Sequence, residues 1–217
     1  RVIAALAKDE AMIAAFKAGE DIHKATAANV FEVPLEEVTR EQRSNAKTVN
    51  FGIVYGVSAF GLSQQTDMSR KEAKAAIDGY FRTYPGIKAY MDEQVSFARE
   101  HGYVETITGR RRYLKDIESR NAVVRGHSER NAVNAPIQGS AADVIKLAMI
   151  QVDQAMREAG MKSKMLLQVH DELVFDVVKD ELEELKALVV KHMEAAVELD
   201  VPMIAEVGTG QSWLEAH

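Results

Sequence analysis

Arg43, Lys47, Phe51 and Tyr55 recur at spacings of four within the stretch RSNAKTVNFGIVYG. On a helix each such step advances about 40° beyond a full turn, so the four side chains form one slowly winding stripe. Two cations come first and two aromatic rings follow. That order of chemistries suits a nucleoside triphosphate, with phosphates at one end and sugar and base at the other. Arg and Lys offer phosphate oxygens charge-assisted hydrogen bonds of about 1.5–3 kcal/mol each. An amphipathic helix with two solvated cations and two buried rings would carry the same pattern. Gly52 and Gly56 each cost a helix about 1 kcal/mol relative to alanine. Close approach of a base or a backbone would explain both, and a helix end would equally explain Gly56.

A second cluster is His170-Asp171-Glu172, read as a turn between two apolar strands, MLLQV and LVFDV. Asp is common at hairpin tips because its side chain bonds the turn backbone. A carboxylate held on a buried scaffold is also what Mg²⁺ requires, since this ion binds through one or two carboxylates plus substrate phosphates. Adjacent strand residues face opposite ways, so Glu172 is expected to support Asp171 rather than match it as a ligand. Arg130, Asn134 and Gln138 again repeat the spacing of four. They form a polar helix face, or a row of donors. The minor groove presents acceptors at nearly equivalent positions in every Watson–Crick pair, so such donors can test pair geometry without reading sequence.

The elements that must position these groups follow from periodicity and capping signals. Residues 2–17 predict one helix ending before Gly19, and Asp21 is placed to cap the short helix that carries His23. Pro34 opens a short turn. Thr39 with Gln42, and Ser69 with Glu72, form two capping boxes, the first for the Arg43 helix and the second for a helix running to about Arg82. Pro85 suits the first turn of the next helix and Gly102 its end. YVETIT and RRRYL around Gly109 read as a β-hairpin with a basic return strand. A helix broken at Pro136 and closed at Gly160 comes next. Beyond the two apolar strands, an amphipathic helix over 180–199 and a final strand near 203–207 complete the reading. Strands set among helices make the class α+β, with one compositional seam near residue 125.

At 217 residues and 47 % apolar, the chain is long enough to bury a substantial core. It contains no cysteine, which excludes disulfides and thiolate metal sites and points to a reducing cytoplasm. No apolar run reaches the roughly 18 residues of a membrane span. The net charge of −6 argues against a nucleic-acid binder, but its distribution does not. Between residues 106 and 130 seven cations (Arg110, Arg111, Arg112, Lys115, Arg120, Arg125, Arg130) face three anions (Asp116, Glu118, Glu129). Such a run is a solvated face or a contact for a phosphate backbone.

Four ordered blocks carry a resemblance to a known family: EDIHKATA at 20–27, the Arg43 stretch, ERNAVNAPIQGSAAD at 129–143 and QVHDELVFDV at 168–177. Together with the ending GQSWLEAH, the chain resembles family A (DNA polymerase I-type) DNA polymerases over essentially its whole length. Single-subunit RNA polymerases match more weakly at the EDIH and Arg130 blocks. The resemblance implies a partial right-hand polymerase fold, with a helical fingers subdomain over 18–125 and a palm with an antiparallel sheet and packed helices over 1–17 and 126–217. It implies template-directed addition of deoxynucleotides to a primer 3′-end by a two-metal mechanism, with two Mg²⁺ ions in the complete enzyme, in replication and repair. The residues matching Arg43 and Lys47 bind the incoming triphosphate and neutralise the leaving pyrophosphate. His23 matches a further phosphate contact, Phe51 the ring beside the sugar and Tyr55 the ring beside the templating base. Arg130, Asn134, Gln138 and His170 match DNA contacts, and Asp171 a catalytic metal ligand, with Glu172 in support.

The implied partners are primer-template DNA, a dNTP, and the upstream palm and thumb of the same protein, in a cytoplasmic, nucleoid-associated enzyme without a membrane anchor. Two departures stand out. Lys115 occupies a position, after GRRRYL, where Pro is expected in many relatives. The family's other metal-binding Asp heads a palm strand, Asp-Tyr-Ser-Gln-Ile-Glu-Leu-Arg, of which only the final residue matches, as Arg1. The expectation is therefore a carboxyl-terminal piece of a longer polymerase, inactive alone and prone to associate through its unpaired apolar hairpin. A catalytically silent nucleotide- or DNA-binding module, or one half of a split polymerase, are the alternatives.

Overall fold

The computed structural model describes residues 1–216; His217, the last residue of GQSWLEAH, lies outside the described residues. The chain divides into two compact units, residues 1–139 and Ser140 onward, and each is taken separately below. The boundary falls inside one long helix.

The first unit is almost wholly helical. α1 (Val2–Ala7) and α2 (Glu10–Lys17) replace the single helix expected over 2–17. Lys8 turns into the left-handed region at φ 49°, and Asp9 caps α2 through Met12 N at 2.9 Å. The reason is tertiary. The Asp9 carboxylate is 2 % exposed and also accepts from Gly86 N at 2.9 Å, in the first turn of α7 (Pro85–His101). One buried carboxylate thereby satisfies orphan donors of two helices, which a continuous helix would forbid.

α3 (Ile22–Phe31) starts at Asp21, whose side chain accepts from the N–H groups of His23 and Lys24. A 3₁₀ turn over Leu35–Glu37 follows Pro34. α4 (Arg40–Val54) and α6 (Arg70–Thr83) both open on complete capping boxes, at Thr39/Gln42 and Ser69/Glu72. α5 (Ala59–Gln65) begins at Ser58 and leads into α6. Ala46, Val49 and Ile53 place one face of α4 in the core, with Ala25 and Ala27 of α3 also buried. Fully burying a side chain such as Val49 contributes about 1.5–3 kcal/mol. α7 ends at Gly102, φ 77°, and continues into an antiparallel hairpin of β1 (Tyr103–Glu105) and β2 (Arg111–Tyr113). Val104, Leu114, Ile117, Ala98 and Ala132 form the cluster beneath it.

α8 (Ala122–Glu158) runs unbroken through Pro136, contrary to the break expected there. A helix-interior proline costs about 3 kcal/mol through the lost N–H and the clash with the preceding turn. Ala132, Val133 and Ser140 are buried around it, and that packing holds the helix through the defect. Asn121 caps its start, accepting from Val123 N at 3.0 Å.

In the second unit, β3 (Lys164–Val169) and β4 (Glu172–Asp176) pair antiparallel with a bulge between Met165 and Leu167. Glu172 is the first residue of β4, so the turn proper is His170-Asp171. Met165 and Phe175 pack on the cluster of Val152, Met156, Leu185 and Val189. The strands are less enclosed than their composition suggested: Leu166 and Leu167 are 55 % and 54 % exposed. α9 (Leu182–Glu194) follows a 3₁₀ turn over Lys179–Glu181 and stops short of the expected residue 199. Ala196 is drawn into a cluster with Val144 and Ala148, and its carbonyl accepts from Gln151 Nε2 at 3.4 Å. The strand expected near 203–207 is absent among the described residues. Glu194 Oε1 takes Ala205 N at 3.1 Å, so a side chain holds that segment where a ladder was expected. A short α10 (Trp213–Ala216) ends the described chain.

Candidate functional site

The cation–ring stripe forms on α4, except that Tyr55 is the helix C-cap and not its last turn. Gly56 sits at φ 71°, its N–H bonds Ile53 O at 2.9 Å, and Val57 N bonds Gly52 O at 2.8 Å. This is the Schellman arrangement, in which the residue after the left-handed glycine folds back over the helix end. Val57 does so directly over Gly52, where an added Cβ would lie 2.7 Å from its Cγ1. The absent side chain at Gly52 therefore makes room for Val57, and no base or backbone approach is needed to explain it. At Gly56 an added Cβ would meet Arg130 Cγ at 2.7 Å, which brings α8 against the end of α4.

A cleft of about 650 Å³ opens along this face, lined among others by Lys47, Phe51, Tyr55, Ser58, Gln65 and Arg130. Phe51 and Tyr55 are 52 % and 51 % exposed, so neither ring is part of the core. The bland amphipathic reading with two buried rings is excluded. Lys47 and Arg130 supply cations to a cleft walled by two rings.

Arg43 and His23 stand at the α3 side of this face rather than in the cleft lining. Arg43 Nε bonds Asp21 Oδ2 at 2.6 Å, leaving its terminal NH₂ groups as donors. Burial pushes the Asp21 carboxyl up, but the Arg43 hydrogen bond and the N–H groups of Lys24 and His23 outweigh it and hold the group below its ordinary range. His23 lies 5.9 Å from the Phe51 ring, and its Nδ1 is 3.0 Å from Asn50 Nδ2. Burial lowers its pKa, and Arg43 and Lys47 push the same way against Asp21, so the imidazole is neutral at pH 7. Asn50 lies off the four-residue stripe, so that spacing does not single it out. The available signal was a polar, poorly helix-forming residue inside the apolar run VNFGIV.

On α8, Arg130 is exposed, Gln138 is exposed, and Asn134 buries an Oδ1 that has no hydrogen-bond partner. The basic run around them is partly consumed internally. Arg111 bonds Glu105 at 2.8 Å and covers the Tyr103 ring at 4.4 Å, Arg110 reaches Gly139 O at 3.3 Å, and Arg125 reaches Ser119 O at 2.9 Å. Arg112, Lys115 and Arg120 are exposed.

In the second unit Asp171 is exposed on the tip of the β3–β4 hairpin and Glu172 is half-buried. His170 adopts φ 54°, a strained region for a residue with a Cβ, and its carbonyl accepts from Gln168 Nε2 at 2.6 Å. Among the described residues no three His, Asp or Glu side chains converge as a metal cage. An exposed carboxylate is nevertheless a hard oxygen donor of the kind Mg²⁺ takes singly or in pairs, completing its shell with water and phosphate.

The fold is that of a polymerase domain. The solved structure titled "POL domain of Pol1 from M. smegmatis complex with DNA primer-template and dNTP" matches at TM-score 0.96 and 50% identity, covering 100% of this chain and 38% of that one. The family model described as DNA polymerase family A matches residues 1–215, and the chain belongs to that family. DNA polymerase I of Streptococcus pneumoniae is 57% identical over all 217 residues, and that of Pseudomonas aeruginosa 50%. The chain spans about a quarter of the length of these curated relatives. No helix among the described residues is long and apolar enough to cross a membrane.

Proposed function

We propose that this chain supplies the nucleotide-binding fingers and the carboxylate-bearing part of the palm to a DNA-directed DNA polymerase of bacterial type, with fingers over 18–125 and palm over 1–17 and 126–217. The observation that carries the reading is the cleft in which Lys47, Phe51, Tyr55 and Arg130 meet, with Arg43 and His23 beside it. Arg43 and Lys47 bind the triphosphate of a dNTP, and their charge counts most as negative charge grows on the departing pyrophosphate. Neutral His23 adds an uncharged donor. Phe51 packs the sugar, and Tyr55 occupies the place beside the templating base. Arg130, Asn134 and Gln138 face the minor groove of the primer-template, and His170 the primer terminus. Asp171 would hold Mg²⁺, with Glu172 in support; when bound, the ions activate the primer hydroxyl and steady the pyrophosphate. The setting is cytoplasmic and nucleoid-associated.

Titration of the chain with a dNTP, followed by the amide and side-chain signals of α3 and α4, tests the site. Arg43→Ala and Lys47→Ala should each weaken binding by about tenfold or more, the equivalent of one charge-assisted hydrogen bond. Wild-type affinity in both variants would sink the assignment.

A further inference from the structure

A line of polar groups runs from the core of the first unit to His23. Tyr84 and Thr26 are 2 % and 0 % exposed, and their hydroxyls lie 3.3 Å apart. Thr26 Oγ1 is 3.3 Å from Asn50 Oδ1 and 3.2 Å from its Nδ2, and Nδ2 is 3.0 Å from His23 Nδ1. An amide NH₂ only donates, so His23 Nδ1 must accept. Thr26 Oγ1 reaches both atoms of the Asn50 amide and the Tyr84 hydroxyl, and whether its one proton goes to Asn50 Oδ1 or to Tyr84, it ties the amide to the core.

A neutral imidazole carries one proton, and with Nδ1 accepting it sits on Nε2. Nε2 makes no other hydrogen bond among the described residues. It belongs to a ring lying 5.9 Å from Phe51, on the same face as the Arg43 and Lys47 cations. We infer that Asn50 is a positioning residue: anchored through Thr26 and Tyr84 to the core, it fixes His23 in the Nε2–H tautomer, so that the imidazole presents a neutral N–H donor to a nucleotide phosphate. This rests on the nucleotide-site reading above. It assigns Asn50, Thr26 and Tyr84 a role in recognition although none of the three lines the cleft. A donor without charge suits this position, because a third cation beside Arg43 and Lys47 would repel both.

The test is a long-range proton–nitrogen correlation spectrum of the ¹⁵N-histidine-labelled chain at neutral pH, with His23 identified by its loss in His23→Gln. An unprotonated Nδ1 and a protonated Nε2 are expected. Asn50→Asp, nearly isosteric, replaces the donor with an acceptor and should move the proton to Nδ1. Thr26→Val should release the preference, and Thr26→Ser should restore it. A wild-type ring protonated at Nδ1, or a tautomer unchanged in Asn50→Asp, overturns the inference. Titration of the uniformly ¹⁵N-labelled chain with dATP then separates this idea from the site reading. A shift of His23 Nε2, reduced about three- to tenfold in apparent affinity in Asn50→Asp, supports the phosphate role. Shifts at Arg43 and Lys47 with none at His23 keep the nucleotide site and overturn the relay. Shifts at none of the three overturn the site itself.

Discussion

The α3–α4 layer and the β3–β4 hairpin both carry groups proposed for chemistry, yet they hold them by opposite means. In the helical layer the backbone is satisfied by caps, one face is buried through Ala46, Val49 and Ile53, and the functional side chains are tied by a polar network through Asn50 and Asp21. At the hairpin the strands are short, none of their apolar side chains is fully buried, and Asp171 is held by the backbone of a tight turn strained at His170. Helices position through side-chain partners, which can each be removed with a graded effect. A hairpin tip positions through backbone geometry, and a single carboxylate there has no understudy.

That contrast sets the expected effects. In a complete polymerase carrying this chain, the proposed function predicts that Asp171→Ala lowers turnover by at least about a thousandfold, equivalent to ~4 kcal/mol of transition-state stabilisation. Single-turnover primer extension measures it, and near-wild-type rates would remove the hairpin from the chemistry. Gly56→Ala comes next, on stability. It places a Cβ at φ 71° and against Arg130, costing about 1–2 kcal/mol in the left-handed region, read as a lowered urea midpoint at constant slope. An unchanged midpoint would show that the end of α4 can re-form without its glycine.

Phe51→Tyr probes the ring face. A hydroxyl there can replace contacts of a missing sugar 3′-hydroxyl, so dideoxynucleotide incorporation should rise relative to normal nucleotides by the worth of one hydrogen bond, about 0.5–1.5 kcal/mol. Competition assays with unchanged selectivity would turn Phe51 away from the sugar. The smallest effect belongs to a carboxylate staple of the second unit. Glu181 accepts from Ser163 Oγ at 2.6 Å and from the N–H groups of Ser163 and Lys162, which hold its carboxyl below the ordinary 4.5. A depressed carboxyl stabilises the fold above that ordinary value and loses the contribution as pH falls through its lowered one. Urea midpoints should drop on acidification less in Glu181→Gln than in the wild type. Equal pH slopes would show that the staple contributes nothing.

Much of this was legible in residue order because it is local. The capping boxes at Thr39 and Ser69, the Asp21 cap, Pro85 opening α7, Gly102 closing it and the hairpin around Gly109 all formed as read. Each depends on bonds within a few residues, and so on chemistry that travels with the sequence. The cation–ring stripe was legible for the same reason, since helical periodicity alone puts those side chains on one face.

What the sequence by itself determined, then, is the set of local elements, the family, and which residue types face together along one helix. The tertiary structure decided where long-range bonds override local rules. Asp9, buried between α2 and α7, broke a helix that periodicity wrote as continuous. Packing around Pro136 kept a helix that proline should interrupt. Glu194 holds Ala205 N in the 203–207 segment where a strand was expected, because a ladder needs a neighbour and composition names none. Asn50 acquired its meaning only when α3 brought His23 and Thr26 to it from more than twenty residues away. A hydrogen bond requires two groups at one place, and chain order records only one of them at a time.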